Sequence, residues 1–171
     1  MVINLIVVFL SFFQINQENH LGSIERISSD INKLIDLDSK IEILAEGFDW
    51  SEGPVWSKKL NSILFSDVPK NVIYKWNEKE GLSVFSKPIG YSGKVPNLKK
   101  AGTNGLTIDS EGNLIICMHG DRMIAKMENL NTEKLSSIIR SYNNKLLNSP
   151  NDLVYDSVSY THLTLPTILL V

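Results

Sequence analysis

Asn104-Gly105-Leu106-Thr107 and Asn151-Asp152-Leu153-Val154 decide the fold, because each is followed one residue later by an aspartate-serine pair, Asp109-Ser110 and Asp156-Ser157. Glu52-Gly53-Pro54-Val55 stands a similar distance upstream, so one supersecondary unit recurs about every 50 residues, near the period of propeller blades. The middle strands of two units superpose without gaps. Residues 63–76 fall on 114–127, with Ile73 on Ile124 and Lys75 on Lys126, an agreement that independent hairpins would rarely reach.

Working outward, short apolar runs broken by turn residues predict strands over 41–44, 55–56, 63–65, 72–76 and 82–85. The same order then returns over 106–108, 114–117 and 123–127, with 134–139 as an outer fourth strand. Past Ile41 no segment with a 3.6-residue period interrupts them, which argues against alternating βαβ units. Four-stranded meanders set side by side close radially or leave an open edge. The expected fold is therefore all-β, a β-propeller. At about 40 to 50 residues per blade, residues 41–157 hold between two and three blades.

Composition narrows the partners. With 43% hydrophobic residues over 171 positions, the chain can bury the core of one domain. A net charge of −2 with no long basic run lacks the electrostatic footprint of a nucleic-acid binder. The single cysteine, Cys117, excludes an internal disulfide and a thiolate-rich metal site, and its apolar strand marks it as a packed small side chain.

The two ends read differently from the middle. Val2 to Phe13 are almost wholly apolar and a mostly polar stretch to His20 follows. This run is too short to span a bilayer and resembles the apolar core of a signal peptide over 1–20, which points to a secreted or periplasmic protein. No Lys or Arg precedes it and no small-x-small cleavage site is evident. A leader over 21–40 places Ile24, Ile27, Ile31, Leu34 and Ile35 at helical spacing behind a capping Ser23, though Ser28-Ser29-Asp30 is a poor helix interior. Residues 158–171 carry no propeller signal, and 158–167 resemble a translated cloning adapter, so a non-native tail is expected there.

Glu46-Gly47-Phe48-Asp49-Trp50-Ser51-Glu52-Gly53-Pro54-Val55-Trp56 resembles the opening of the SMP-30/gluconolactonase family. Phe65-Ser66-Asp67-Val68-Pro69, Ile73-Tyr74-Lys75-Trp76, His119-Gly120-Asp121-Arg122 and Leu147-Asn148-Ser149-Pro150-Asn151-Asp152 agree with its gluconolactonase branch, in order. The resemblance implies a six-bladed propeller with a divalent cation, calcium or zinc, on its axis, and hydrolysis of a sugar lactone. It implies Glu52 and Asn151 as metal ligands, and Asn104 and His119 on the substrate side. A third family ligand, an aspartate, would lie beyond Ser157, so the chain as it stands is expected to be inactive.

Each residue also has a plainer reading. Glu52 serves equally as a turn carboxylate, Asn151 and Asn104 as turn residues, and His119 as a loop histidine. Asp67 either lines the axial opening or ends a strand. Trp50, Trp56 and Trp76 are expected to pack between blades. Two other functions stay open, a propeller that binds a ligand or protein without turning it over, and a metal-dependent esterase.

Overall fold

Strand formation follows the period-two pattern closely. The structure, a computed structural model, describes residues 21–94, 101–132 and 134–155 and the backbone of Thr161–Thr164. The expected signal segment over 1–20 lies outside the described residues. Two units divide the chain, Met1–Glu46 and Gly47–Val171.

In the first unit the helical spacing over 21–40 does not yield an α-helix. A single 3₁₀ helix, Ser29–Lys33, is capped by Ser28 rather than Ser23, the Ser28 hydroxyl accepting from Asp30 N. The run that makes a poor helix interior starts the helix instead, as short oxygen-bearing side chains do. Residues 41–44, expected as a strand, hold only an isolated bridge. No helix among the described residues is long and apolar enough to cross a membrane.

The second unit is the propeller. Strands β1 (Ser51–Ser57), β2 (Ser62–Asp67), β3 (Val72–Asn77) and β4 (Gly81–Ser86) form one antiparallel meander in chain order. Strands β5 (Leu106–Ile108), β6 (Leu114–Met118), β7 (Met123–Met127) and β8 (Leu135–Ile139) form the second. A two-residue hairpin follows, β9 (Ser141–Tyr142) and β10 (Lys145–Leu146). Its turn residues Asn143 and Asn144 take positive φ, 49° and 62°, as a tight primed turn requires. Strand β11 (Asp152–Tyr155) then pairs with β12 (Thr161–Thr164) and begins a third blade. Thr161–Thr164, expected to fall outside the pattern, takes a strand position, consistent with the β-propensity of threonine.

The repeat read from sequence is a repeat of register. Ile63 pairs with Trp76 and Ser66 with Ile73 in the first blade, Leu114 with Met127 and Cys117 with Ile124 in the second. Both third strands carry a bulge at the matched step, between Ile73 and Tyr74 and between Ile124 and Ala125. The innermost strands share another irregularity. Glu52 pairs with Ser66 ahead of a register shift, and Asn104 and Gly105 both bond to Cys117, through Asn104 N to Cys117 O and Cys117 N to Gly105 O, each 2.9 Å.

Burial explains the composition of each strand. One core lies between the first two blades, built on Leu64, Ile73, Leu106, Leu114, Ile116 and Met127. A second lies between blades two and three, with Ile115, Cys117, Ile124, Leu147 and Leu153. Strand β6 is covered on both faces, so Leu114-Ile115-Ile116-Cys117-Met118 is continuously buried. Strand β2 alternates instead.

None of the tryptophans joins the core between the first two blades. Trp56, Ile63, Trp76 and Leu82 form one cross-strand row, on the face of blade one opposite Leu64, away from blade two. Trp50 is 57% exposed and Trp56 49%. Phe48, Phe65 and Tyr74 cluster with ring centroids 5.0–5.7 Å apart.

The innermost strands approach backbone to backbone. A Cβ on Gly53, whose φ is +57°, would meet Asn104 O and Leu106 N at 2.7 Å. A Cβ on Gly105 would meet the Asp152 carboxylate, Asp152 Cα at 2.7 Å and Asn151 O at 2.8 Å. Gly105→Ala is therefore expected to cost about 1–3 kcal/mol by overpacking, and Gly53→Ala more, since it adds backbone strain. Gly81→Ala, with φ +68° and nothing within 4 Å, isolates the strain alone, about 1 kcal/mol. Urea midpoints of the three variants check this ordering.

Two further outcomes follow from burial and charge. Burial, aided by the negative charge of Asp152, pushes the Cys117 thiol up to about 12, so a disulfide reagent should label it only after unfolding. Burial works to raise Asp109, but bonds from the Asn113 side chain and backbone and from Lys126 outweigh it and hold the carboxyl below its usual value. A lowered folded-state pKa gives stability that is present above the unfolded value and lost as pH falls through the folded one. Asp109→Asn should flatten that acid limb of a stability-against-pH curve.

Candidate functional site

Three residues singled out by the repeat, Glu52, Asn104 and Asn151, sit at the start of β1, just before β5 and just before β11. Hydrogen bonds tie these positions across the blades. Ser66, the strand partner of Glu52, donates its buried hydroxyl to Asn104 O at 2.7 Å and lies 2.8 Å from the Thr103 hydroxyl. Gly105 N donates to Asn151 O at 2.7 Å. The structure thus sets the three on adjacent inner strands at one end of the blades. Asn104 is 2% exposed, whereas Glu52 and Asn151 are half-buried.

His119 leaves the end of β6 two residues past Cys117, the strand partner of the Asn104 position, and its N–H donates to Cys117 O at 3.0 Å. It is half-buried at the same end of blade two. A cleft of about 190 Å³ borders Glu52, lined also by Phe48, Ser51, Pro54 and Phe65. Larger clefts of about 370 and 320 Å³ gather around Trp56. These lie toward the other end of β1 and touch none of the four predicted residues.

Asp67 does not line the opening. It is fully buried, and its two carboxylate oxygens accept from Asp49 N at 3.1 Å and Trp50 N at 3.2 Å. Lys70 pairs with it at 3.3 Å and with Asp49 at 3.2 Å. The plainer reading, an aspartate that ends its strand and fixes a turn, is the one the geometry gives.

Other groups at this end were not legible from sequence. Asp121, 4% exposed, holds the loop before blade two by accepting from Ser92 N at 2.9 Å and the Ser92 hydroxyl at 3.0 Å. Asn71 clamps the same loop, donating from Nδ2 to Tyr91 O at 3.0 Å and accepting from Tyr91 N at 3.2 Å. The Trp50 indole donates to Glu52 Oε1 at 2.8 Å. His119-Gly120-Asp121 offered a weak signal for the first of these; the Asn71 clamp joins positions 20 residues apart, and the Trp50–Glu52 bond is local but leaves no pattern in the sequence.

The fit of a cation can be tested on the donor chemistry. Glu52 and Asn151 offer one carboxylate and one amide oxygen, an all-oxygen pair, which suits a hard ion such as calcium better than zinc, with its preference for nitrogen and sulfur. The set is partial. Among the described residues no three His, Cys, Asp or Glu side chains converge on one point.

Known proteins share this architecture. The SMP-30/Gluconolactonase/LRE-like region family model matches residues 50–162. A gluconolactonase of Zymomonas mobilis subsp. mobilis is 34% identical over 148 residues, 85% of this chain and 41% of its own. The solved gluconolactonase of Xanthomonas campestris superposes with a TM-score of 0.64 at 26% identity, over 75% of this chain and 39% of that one. A candidate gluconolactonase from structural genomics gives 0.60 at 31% identity, over 70% and 37%. The chain thus spans about 40% of the length of these relatives. Its repeated register, its inner-strand packing and these matches together establish that the chain belongs to the SMP-30/gluconolactonase family, as a partial β-propeller.

Proposed function

We infer that the protein to which this chain contributes opens sugar lactones with the help of a divalent cation, calcium in preference to zinc. One observation carries the reading: the only carboxylate and the two amides that the repeat makes equivalent are drawn to neighbouring inner strands, where the relatives are gluconolactonases. Glu52 and Asn151 would hold the cation through a carboxylate and an amide oxygen. When bound, the ion supplies Lewis-acid polarisation of a carbonyl and a more acidic water.

The chain's own residues do the rest. The amide of Asn104 can donate to a lactone or hydroxyl oxygen while its carbonyl accepts a hydroxyl proton. Its burial at 2% exposure fixes the amide in a setting of low dielectric, where such bonds are strong. His119 borders the same end and presents a second polar contact to the ligand. The cleft beside Glu52 presents the apolar side chains of Phe48, Pro54 and Phe65 to a ligand. Two protein ligands seldom hold a cation without a third, so the 171-residue chain by itself is expected to bind calcium weakly and to lack turnover. An apolar run before the propeller accords with export.

A hybrid separates the possible functions. Residues 47–155 replace the matching part of the Zymomonas mobilis relative, and glucono-lactone opening is followed by proton release. The hybrid should be active, stop on chelation and recover with calcium, while Glu52→Gln should lower activity roughly a hundredfold. Asn104→Ala should raise KM. Lactone binding without opening would favour a non-catalytic propeller, and preference for aryl esters an esterase.

A further inference from the structure

Trp50 is a large side chain that burial does not explain. It is 57% exposed, yet its main chain is held at both ends: Trp50 N donates to Asp67 Oδ1 at 3.2 Å and Trp50 O accepts from Val68 N at 3.0 Å. The anchor is rigid. Asp67 is fully buried, its other oxygen accepts from Asp49 N at 3.1 Å, and Lys70 ties Asp67, Asp49 and the carbonyl of Gly47 together. Only the rotation of the indole is left open by these bonds, and the indole N–H donates to Glu52 Oε1 at 2.8 Å.

A glutamate at the first turn of a strand edge has three side-chain torsions and two equivalent oxygens. Free, it would have to lose that freedom on meeting a ligand. Here one oxygen already has a charge-assisted donor, and a carboxylate so held offers a cation its remaining oxygen in a single arrangement. On the reading of Glu52 as a cation ligand, on which this inference rests, we propose that Trp50 is a positioning residue. Through the Asp67-anchored loop it fixes the Glu52 carboxylate as a one-oxygen ligand and so sets the calcium affinity of the site. The alternative is that the bond merely tethers an exposed indole.

Calcium titration of the full chain by calorimetry, with melting in chelator measured alongside, tells these apart. Trp50→Phe should bind calcium roughly tenfold more weakly, the low end of the loss seen when a ligand's supporting bond is removed, with its metal-free melting temperature unchanged. Trp56→Phe, altered at the other end of β1, should bind as the unsubstituted chain does. Glu52→Gln should show no saturable binding. Unaltered affinity in Trp50→Phe, while Glu52→Gln loses binding, overturns the role of Trp50 and leaves Glu52 as the ligand; so does a lowered metal-free melting temperature with affinity intact. Binding by Glu52→Gln equal to that of the unsubstituted chain overturns the cation reading and the inference with it, as does a hybrid of the kind described above that binds calcium no more tightly than its own Glu52→Gln variant.

Discussion

The close approach of the innermost strands at Gly53 and Gly105 governs the geometry of this chain. Where a Cβ would stand, each glycine has the next blade's main chain within 2.8 Å, so neither position has room for a side chain of its own. That spacing sets the rest. It brings Asn104 O within reach of the Ser66 hydroxyl and Gly105 N within reach of Asn151 O, and it places the residue just before each glycine, Glu52 or Asn104, at one end of the sheet stack. Widening the junctions would separate the blade cores and the candidate ligands together.

Away from the axis the blades rely on apolar packing, and the difference between β2 and β6 shows how. A strand covered on one side alternates, as β2 does over residues 62–65, while one covered on both sides is apolar throughout, as Leu114–Met118 is. Among the described residues the two buried carboxylates stand at the end of the blades that carries the site. Asp67 and Asp121 are buried carboxylates satisfied by backbone N–H groups of loops. Each converts a surface loop into a fixed edge of the candidate site, because an unpaired buried carboxylate would be costly and the loop amides are its partners.

Much of this was legible because register leaves a trace. A period of two with matched turns located eight of the strands, and the gapless overlay of 63–76 on 114–127 proved to be a match of cross-strand partners and of a bulge. The same logic found Glu52, Asn104 and Asn151, since equivalent residues in a repeat occupy equivalent places. What it missed has no periodic trace. The isoleucines over 21–35 suggested a helix, but local capping by Ser28 confined it to Ser29–Lys33. The hairpin at Ser141–Leu146 is too short for alternation to show, although Asn143-Asn144 is its turn signal. Bulk alone does not tell which face a tryptophan takes, and the side of β1 and β3 that carries Trp56 and Trp76 is the one opposite Leu64.

The third inner strand breaks the rule that the first two follow, and the break falls beside the candidate site. At the place of Gly53 and Gly105 the repeat has Asp152, and positive φ occurs at Gly53 but at neither Gly105 nor Asp152. Its carboxylate packs against Gly105 and accepts from Leu153 N at 2.8 Å. The Asp152 carboxylate thus lies in the junction between β5 and β11, whereas the atoms nearest the place of a Gly53 Cβ, between β1 and β5, are all main chain. The consequence is asymmetry. Glu52 and Asn104 flank a junction of main chain, and Asn104 and Asn151 flank one that also holds a carboxylate. An axial site built on these three positions would be bordered by backbone at one junction and by an added acidic group at the other, a difference that a symmetric repeat of the glycine junction could not produce.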